Sequence, residues 1–372
     1  MFKFLAVSDT IGGEYIQLSR ISKKMGTKLK VLFQNGQISN DLEFTITGKV
    51  TNYLFLKLLE KNYVSKEMYM SILSRISAMS IKFDFGNEYI ISTAFLWPPR
   101  KGSRNIIVMT PDRVFTVEYD RNRKKFEQSV LLLIGFELFG VLEKLYMTHV
   151  LRRAKHVISI SQIVAMRLKD SYGINSAVVY PSIDPDEFHC EGYNKYFLYV
   201  SRLTPSKRQD YAIRAFSIFS SQRSDFQLII ACNSPDTLEN TGYLESMYRF
   251  INDNLNVRFL FDQDKDSISK LYANSYACLF SAVNEDFGLI PLEAMASEKP
   301  IISVNEGGPK ETIINNITGF LVNSEEEMAQ KMLELSNNPD LVTSMGKQGR
   351  KHVAENFSDD KFISSLTKVL QN

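Results

Sequence analysis

The chain has 372 residues, 44% of them hydrophobic and 23% charged, with a formal net charge of +2. That length and apolar content suffice for two hydrophobic cores, and neither a fixed-period repeat nor a low-complexity segment is visible. Its three cysteines, Cys190, Cys232 and Cys278, stand far apart; that pattern argues against a disulfide framework and a structural metal, and fits a reducing, cytoplasmic setting.

Taken in chain order, Phe4-Leu5-Ala6-Val7 reads as a first strand, and Ile11-Gly12-Gly13-Glu14 opens the next helix. The apolar N-terminus is strand-length and leads into glycines, so no signal peptide is expected. A basic run, Arg121 to Lys125, precedes Val130-Leu131-Leu132-Leu133-Ile134-Gly135-Phe136, and Leu151-Arg152-Arg153 follows. The apolar run is too short to span a bilayer. Two readings stay open for it: an amphipathic element lying on an anionic membrane, or a core helix with solvated basic ends. Residues 1–180 hold 26 Lys and Arg against 15 Asp and Glu, while the remainder holds 18 against 27. The first half therefore favours anionic lipid or pyrophosphate-linked carriers. Nucleic acid is not an expected partner, because the basic residues lack a binding motif and the acidic half would repel a phosphate backbone.

Ala177-Val178-Val179-Tyr180 is a strand pattern, and Pro181 and Pro185 then interrupt regular structure, which marks a domain boundary. Tyr196-Phe197-Leu198-Tyr199-Val200 predicts a strand leading to the loop Ser201–Arg208 and an amphipathic helix with Tyr211, Ile213, Ala215, Phe216 and Phe219 on its apolar side. Arg202 and Lys207 then lie past a strand's carboxyl end, where open α/β sheets bind ligands, and can clamp phosphate oxygens. The alternative is a charged surface loop.

Ser275-Tyr276-Ala277-Cys278-Leu279-Phe280-Ser281 predicts a buried parallel strand, followed by a turn through Asn284 to Gly288 and a helix. Gly288 allows close approach of a ligand, and the N–H groups of Leu289 and Ile290 would face a diphosphate at the positive helix end. Glu285 and Glu293 would be repelled by that diphosphate, so they are assigned to sugar and ribose hydroxyls. In the plainer reading Glu285 is solvated and Glu293 favours a helix N-terminus. Pro300-Ile301-Ile302-Ser303-Val304 is a further strand pattern, after which Gly307-Gly308 would offer N–H donors beside Glu311.

These motifs resemble a retaining glycosyltransferase of the GT-B fold, family 4, most densely through Ser201-Arg202-Leu203 with Lys207, Glu285 with Glu293, Gly307-Gly308 with Glu311, and Thr318-Gly319-Phe320-Leu321. The resemblance implies two Rossmann-like α/β domains facing across a cleft. Residues 1–183 would be the acceptor domain, 184–357 the donor domain, and the helix 358–372 would pack back on the first. It also places Gly12 and Gly13 near the donor phosphates, Phe261, Asp262, Phe287, Gly288 and Leu289 in the donor site, and Glu14, Met109 and Arg113 on the acceptor side. Met109-Thr110-Pro111-Asp112-Arg113 is similar to a His-Thr-Pro-x-Arg segment of mannosyltransferase-like members. Met109 stands where those members often carry histidine, and none of His149, His156, His189 or His352 is an evident substitute.

The implied reaction is transfer of a hexosyl group from GDP-mannose or a UDP-sugar to a glycan or lipid-linked glycan, with retention and without a metal or other cofactor. Asp184-Pro185-Asp186, Asp262-Gln263-Asp264 and Asp264-Lys265-Asp266 offer metal-like spacing but read as surface turns, with Arg202 and Lys207 supplying positive charge instead. Two other classes remain: a sugar-nucleotide epimerase or hydrolase of the same architecture, and a non-catalytic scaffold.

Overall fold

Short β-branched and aromatic runs build two parallel sheets in the computed structural model, which describes residues 3–8, 19–27, 29–34, 37–38, 43–44, 81–82, 89–92, 106–109, 123–124, 130–152, 154–251 and 255–371. The polypeptide divides into Met1–Val179 with Ser365–Asn372, and Tyr180–Ser364. The division falls upstream of the expected 183/184 position. Ser182 Oγ donates to Asp359 Oδ1 at 2.6 Å and Ile183 N to Phe357 O at 2.9 Å, which ties this segment into the second unit.

The first unit carries β1 (Lys3–Ser8), β2 (Leu29–Gln34), β3 (Gln37–Ile38), β4 (Glu43–Phe44), β5 (Ile81–Lys82), β6 (Tyr89–Ser92), β7 (Ile106–Met109), β8 (His156–Ser159) and β9 (Ala177–Val178). Seven of these form one sheet in the order β3-β2-β1-β6-β7-β8-β9, parallel throughout except for the β2–β3 pair. Strands β4 and β5 form a separate antiparallel pair. Helix α1 (Val130–Leu151) buries Met147 and Leu151 against Leu168 and Tyr172 of α2 (Gln162–Tyr172). Ser161 caps α2 at its start and Gly173, in the left-handed region, ends it.

The second unit carries β10 (Tyr196–Val200), β11 (Gln227–Cys232), β12 (Val257–Phe261), β13 (Ala277–Phe280), β14 (Ile301–Val304) and β15 (Gly319–Val322). Their order is β12-β11-β10-β13-β14-β15, all parallel. Every residue of β13 and β14 is buried, as strands covered on both faces require. Strand β13 is shorter than its apolar run, because Ser275 closes the preceding helix and Ser281 enters a polar network. The helices are α3 (Gln209–Ser220), α4 (Leu238–Phe250), α5 (Lys265–Asn274), α6 (Leu289–Ala296), α7 (Pro309–Thr312), α8 (Glu325–Asn337) and α9 (Pro339–Asn356), while α10 (Asp359–Gln371) begins in this unit and belongs to the first from Ser365 onward. Phe197, Phe219, Phe226 and Tyr276 form the aromatic centre of the core, with Phe197 and Phe219 edge to face at 5.1 Å.

Candidate active site

Strand order sets the place. Chain direction across the sheet reverses between β10 and β13, so the loops leaving their carboxyl ends diverge and open a crevice, the usual ligand position in a doubly wound sheet. Those loops hold Arg202 with Lys207, and Glu285 with Gly288. Buried hydrogen bonds fasten one to the other. The fully buried Tyr199 hydroxyl donates to Lys207 O and accepts from Ser281 N at 3.2 Å, while Ser281 Oγ donates to Arg208 O at 2.7 Å and Val283 N to Ser206 O at 3.0 Å. On the other side, buried Gln209 donates through Nε2 to Ser201 Oγ and Arg202 O, both at 2.7 Å, and Leu203 N donates to Asn233 Oδ1 at 2.8 Å. The backbone around Arg202 is thus held from three directions.

The charges are arranged unequally. Lys207 Nζ meets Glu285 Oε2 at 2.5 Å, with the two side chains only 19% and 18% exposed. The sequence reading sends Lys207 to phosphate and Glu285 to sugar; the structure brings them together as an ion pair. Arg202 is exposed and, among the described residues, its guanidinium makes no ion pair. It borders a cavity of about 330 Å3 with Ala231, Cys232, Asn233, Asp262 and Gln263.

Gly288 adopts φ 91° and precedes α6 without a side-chain cap, leaving the first-turn N–H groups of Leu289 and Ile290 with no acceptor from it, while Pro291 has none to offer. The Gly307-Gly308 pair has a different role from the donors expected of it. Gly308 N–H is already spent on Glu285 O at 2.8 Å. A Cβ would meet Glu285 O at 2.4 Å from Gly307 and Phe287 O at 2.3 Å from Gly308, so only glycine permits this backbone contact. The Phe287 ring is turned into the packing: it is 3% exposed, stacked on Tyr180 at 5.7 Å and packed on Phe357 at 5.8 Å. An aromatic residue inside a binding motif has here become the anchor of the turn.

Glu293, on α6, accepts from Tyr272 Oη of α5 at 3.0 Å. Desolvation pushes its carboxyl up from 4.5 to about 7, and the Tyr272 hydrogen bond opposes that rise. Tyr272 was not singled out from sequence, because a tyrosine in an amphipathic helix carries no local signal of such a partner. Tyr199 and Gln209 escaped for the same reason.

Phe261 stacks on Phe259 at 5.9 Å and packs against the core, so its ring belongs to that aromatic row. Its carbonyl accepts from Gln263 Nε2 at 2.8 Å. Asp262, in the left-handed region, accepts from Ser234 N at 2.9 Å and from the Ser234 hydroxyl, which hold its carboxyl below the usual range. Asp264 caps α5 through Ser267 N at 2.7 Å, and Asp184 caps a short turn through Asp186 N at 3.0 Å. The spaced aspartates therefore do local backbone work. Burial pushes the Cys232 and Cys278 thiols up to about 12, which leaves both un-ionised near neutrality. Met109 ends β7 opposite Ser159 in the first unit, whereas Gly12, Gly13, Glu14 and Arg113 lie outside the described residues. Among the described residues no cluster of three or more His, Cys, Asp or Glu is arranged to hold a metal ion.

Residues 190–352 match the family model for glycosyl transferases group 1. The chain is 28% identical over 239 residues to the alpha-1,3/1,6-mannosyltransferase ALG2 of Mus musculus, covering 57% of each. It is 33% identical over 174 residues to the capsular polysaccharide biosynthesis glycosyltransferase CapM of Staphylococcus aureus, covering 46% of this chain and 44% of that protein. The chain thus spans about half the length of these relatives. Solved structures match the whole chain: sucrose-phosphate synthase from Thermosynechococcus elongatus at 16% identity and TM-score 0.67, covering 100% of this chain and 98% of that one, and Anabaena HepE with UDP and glucose at 15% and 0.66, covering 100% and 99%. At such identities the likeness speaks to fold alone, and that fold is GT-B.

Proposed function

We propose, from the match of residues 190–352 to the glycosyl transferases group 1, that the chain moves a hexosyl group from a nucleotide sugar to a hydroxyl of a glycan or glycolipid. The observation that carries this reading is the convergence, at the sheet's switch point, of the exposed Arg202 guanidinium, the Lys207–Glu285 pair and the start of α6, which lacks a side-chain cap. A diphosphate in that crevice would meet Arg202 as a planar fork and the Leu289 and Ile290 N–H groups as fixed donors. Both favour the leaving nucleoside diphosphate as its negative charge grows.

In the proposed reaction the acceptor oxygen bonds to the anomeric carbon as the bond to the β-phosphate oxygen breaks. The acceptor proton passes to that departing oxygen, so the products are a glycoside and a nucleoside diphosphate. Attack on the same face retains the configuration. Glu285 holds a sugar hydroxyl, its charge kept in place by Lys207, and Glu293 accepts from the ribose. The cavity lined by Arg202, Asp262 and Gln263 takes the base. The positive charge in this scheme comes from the protein, and no metal or other cofactor is invoked. GDP-mannose is supported by the mannosyltransferase relatives, and a UDP-sugar by the fold likeness to HepE with UDP and glucose.

A thermal-shift panel of GDP- and UDP-sugars tests the donor. One donor at a hundredfold excess over its Kd should stabilise the protein by about 2.7 kcal/mol. Product anomers from that donor and a glycan acceptor, read by NMR, then test transfer and retention. No shift with any donor and no sugar transferred would overturn the proposal; free sugar alone, or an isomerised donor, would favour hydrolysis or epimerisation.

A further inference from the structure

Helix α1 carries an apolar surface for which the donor chemistry has no use. Val130, Ile134, Leu138, Val141, Leu142 and Leu145 are exposed, from 55% at Leu142 to 74% at Val130. At 3.6 residues per turn they fall within an arc of roughly 120°, and the stripe runs about 22 Å along the axis. Phe136, Met147 and Leu151, which are buried, occupy the opposite side of the same helix. The helix is therefore apolar on both its core face and its outer face. Among the described residues no helix is long and apolar enough to cross a membrane.

The chemistry changes at the carboxyl end of the stripe. There Lys144, His149 and Arg152 stand beside Val141 and Leu145. Among the described residues Lys144 and Arg152 make no ion pair, while Glu137 is already paired with Arg123 at 3.1 Å. An apolar stripe ending in unpaired cations complements a surface that is oily below and anionic above. A second copy of the chain is the poorer occupant, because residues 1–180 carry 26 Lys and Arg against 15 Asp and Glu, and two such basic segments brought together repel.

We propose that α1 docks this chain on an anionic phospholipid bilayer, lying in the interface with the stripe from Val130 to Leu145 at the acyl boundary and Lys144 and Arg152 on lipid phosphates. The inference is independent of the donor site, so either can fail without the other.

Vesicle co-sedimentation of the full chain tests it, using phosphatidylcholine alone and an equal mixture with phosphatidylglycerol. The native chain should bind the anionic vesicles at least roughly tenfold more tightly than the neutral ones, and about 0.5 M NaCl should remove most of that difference. Leu138→Glu with Leu145→Glu, both at exposed positions, should weaken binding roughly tenfold or more. Lys144→Ala with Arg152→Ala should weaken it about fivefold or more on anionic vesicles only. An unchanged thermal melt for each variant keeps misfolding out of the result. The proposal is overturned if the native chain stays in the supernatant with anionic vesicles, if the glutamate pair binds as the native chain does, or if sedimentation velocity shows a dimer that the glutamate pair dissociates.

Discussion

Replacing Gly308 by alanine strikes the contact that presents Glu285 and the Gly288 turn. A Cβ at Gly308 stands 2.3 Å from Phe287 Cα and 2.3 Å from Phe287 O, both of them backbone, where ordinary contacts begin at 3.4 Å. The two segments must separate by about 1 Å, enough to break the 2.8 Å bond from Gly308 N to Glu285 O. Overpacking costs about 1–3 kcal/mol and the orphaned hydrogen-bonding pair about 1–3 kcal/mol, so Gly308→Ala should destabilise the chain by roughly 2–6 kcal/mol. Gly242→Ala is the control. A Cβ there meets nothing within 4 Å and the position lies inside α4, so that change should stabilise by about 0.5–1 kcal/mol. Urea unfolding followed by far-UV circular dichroism compares the two, and turnover of the donor that the thermal-shift panel selects reports on the displaced Glu285. A Gly308→Ala protein within about 0.5 kcal/mol of the native chain and fully active would refute the close-approach argument.

Arg202→Ala, at an exposed position, should leave the unfolding midpoint unchanged while lowering kcat by about 2–4 kcal/mol, roughly 30- to 1000-fold; turnover within threefold of native removes Arg202 from the diphosphate site. Lys207→Ala leaves the Glu285 carboxylate poorly hydrated and unpaired, and should cost roughly 1–3 kcal/mol, less than a fully buried pair. The double mutant with Glu285→Gln should recover at least about 1 kcal/mol, and strict additivity in the cycle would mean that the pair is not formed. Glu293 binds a proton more tightly folded than unfolded, at about 7 against 4.5, so its contribution to stability is intact below pH 4.5 and is lost as pH rises through about 7. The unliganded native chain should therefore lose more stability than Glu293→Gln between pH 5 and 8, and parallel melting curves would contradict the desolvated carboxyl. Tyr199→Phe should cost about 2–4 kcal/mol, because Lys207 O and Ser281 N both lose the same buried partner; a loss below about 0.5 kcal/mol in urea unfolding would show that hub to be dispensable.

The sheet of the second unit was legible because its strands are buried on both faces and so appear as unbroken apolar runs, from Phe197–Val200 to Ile301–Val304. Loop positions follow from those strands, so the sequence pattern alone puts Arg202 and Gly288 past carboxyl ends. Partnerships between loops were not legible. Lys207 and Glu285 are 78 residues apart, and each was assigned to a ligand because a single charge in a loop gives no sign of another charge beside it. Glu293 and Tyr272 meet only because α5 and α6 flank β13, a fact of topology rather than spacing. Phe287 and the Gly307-Gly308 pair hide a packing role in a common way: motif position points to a ligand, while burial and close backbone contact show that these residues also hold the turn in place.

The same geometry answers a difficulty in the motif, which sets two carboxylates beside the expected seat of a diphosphate. Left ionised and exposed, Glu285 and Glu293 would oppose the donor at short range. Each is discharged by a different physical route. Glu285 is neutralised by Lys207 at 2.5 Å, and Glu293 is pushed to about 7 by desolvation, so that near neutral pH it carries a proton for much of the time. Arg202, for which no ion pair is found among the described residues, is then the main uncompensated charge at the switch point, and the open start of α6 adds to it with the same sign. Positive charge therefore prevails at the expected diphosphate seat because the motif's two acids are silenced, without any excess of basic residues in the second unit, while the Asp262 carboxyl, held below its usual range, stays ionised beside the cavity that Arg202 borders. Glu285→Gln should on this account leave donor binding nearly intact as long as Lys207 remains, since the freed ammonium compensates for the lost hydroxyl contact. Its turnover should fall by about 2–3 kcal/mol, because the contact is strongest when the sugar carries developing charge. A rise in KM with unchanged kcat would place Glu285 in binding alone and defeat that division of labour.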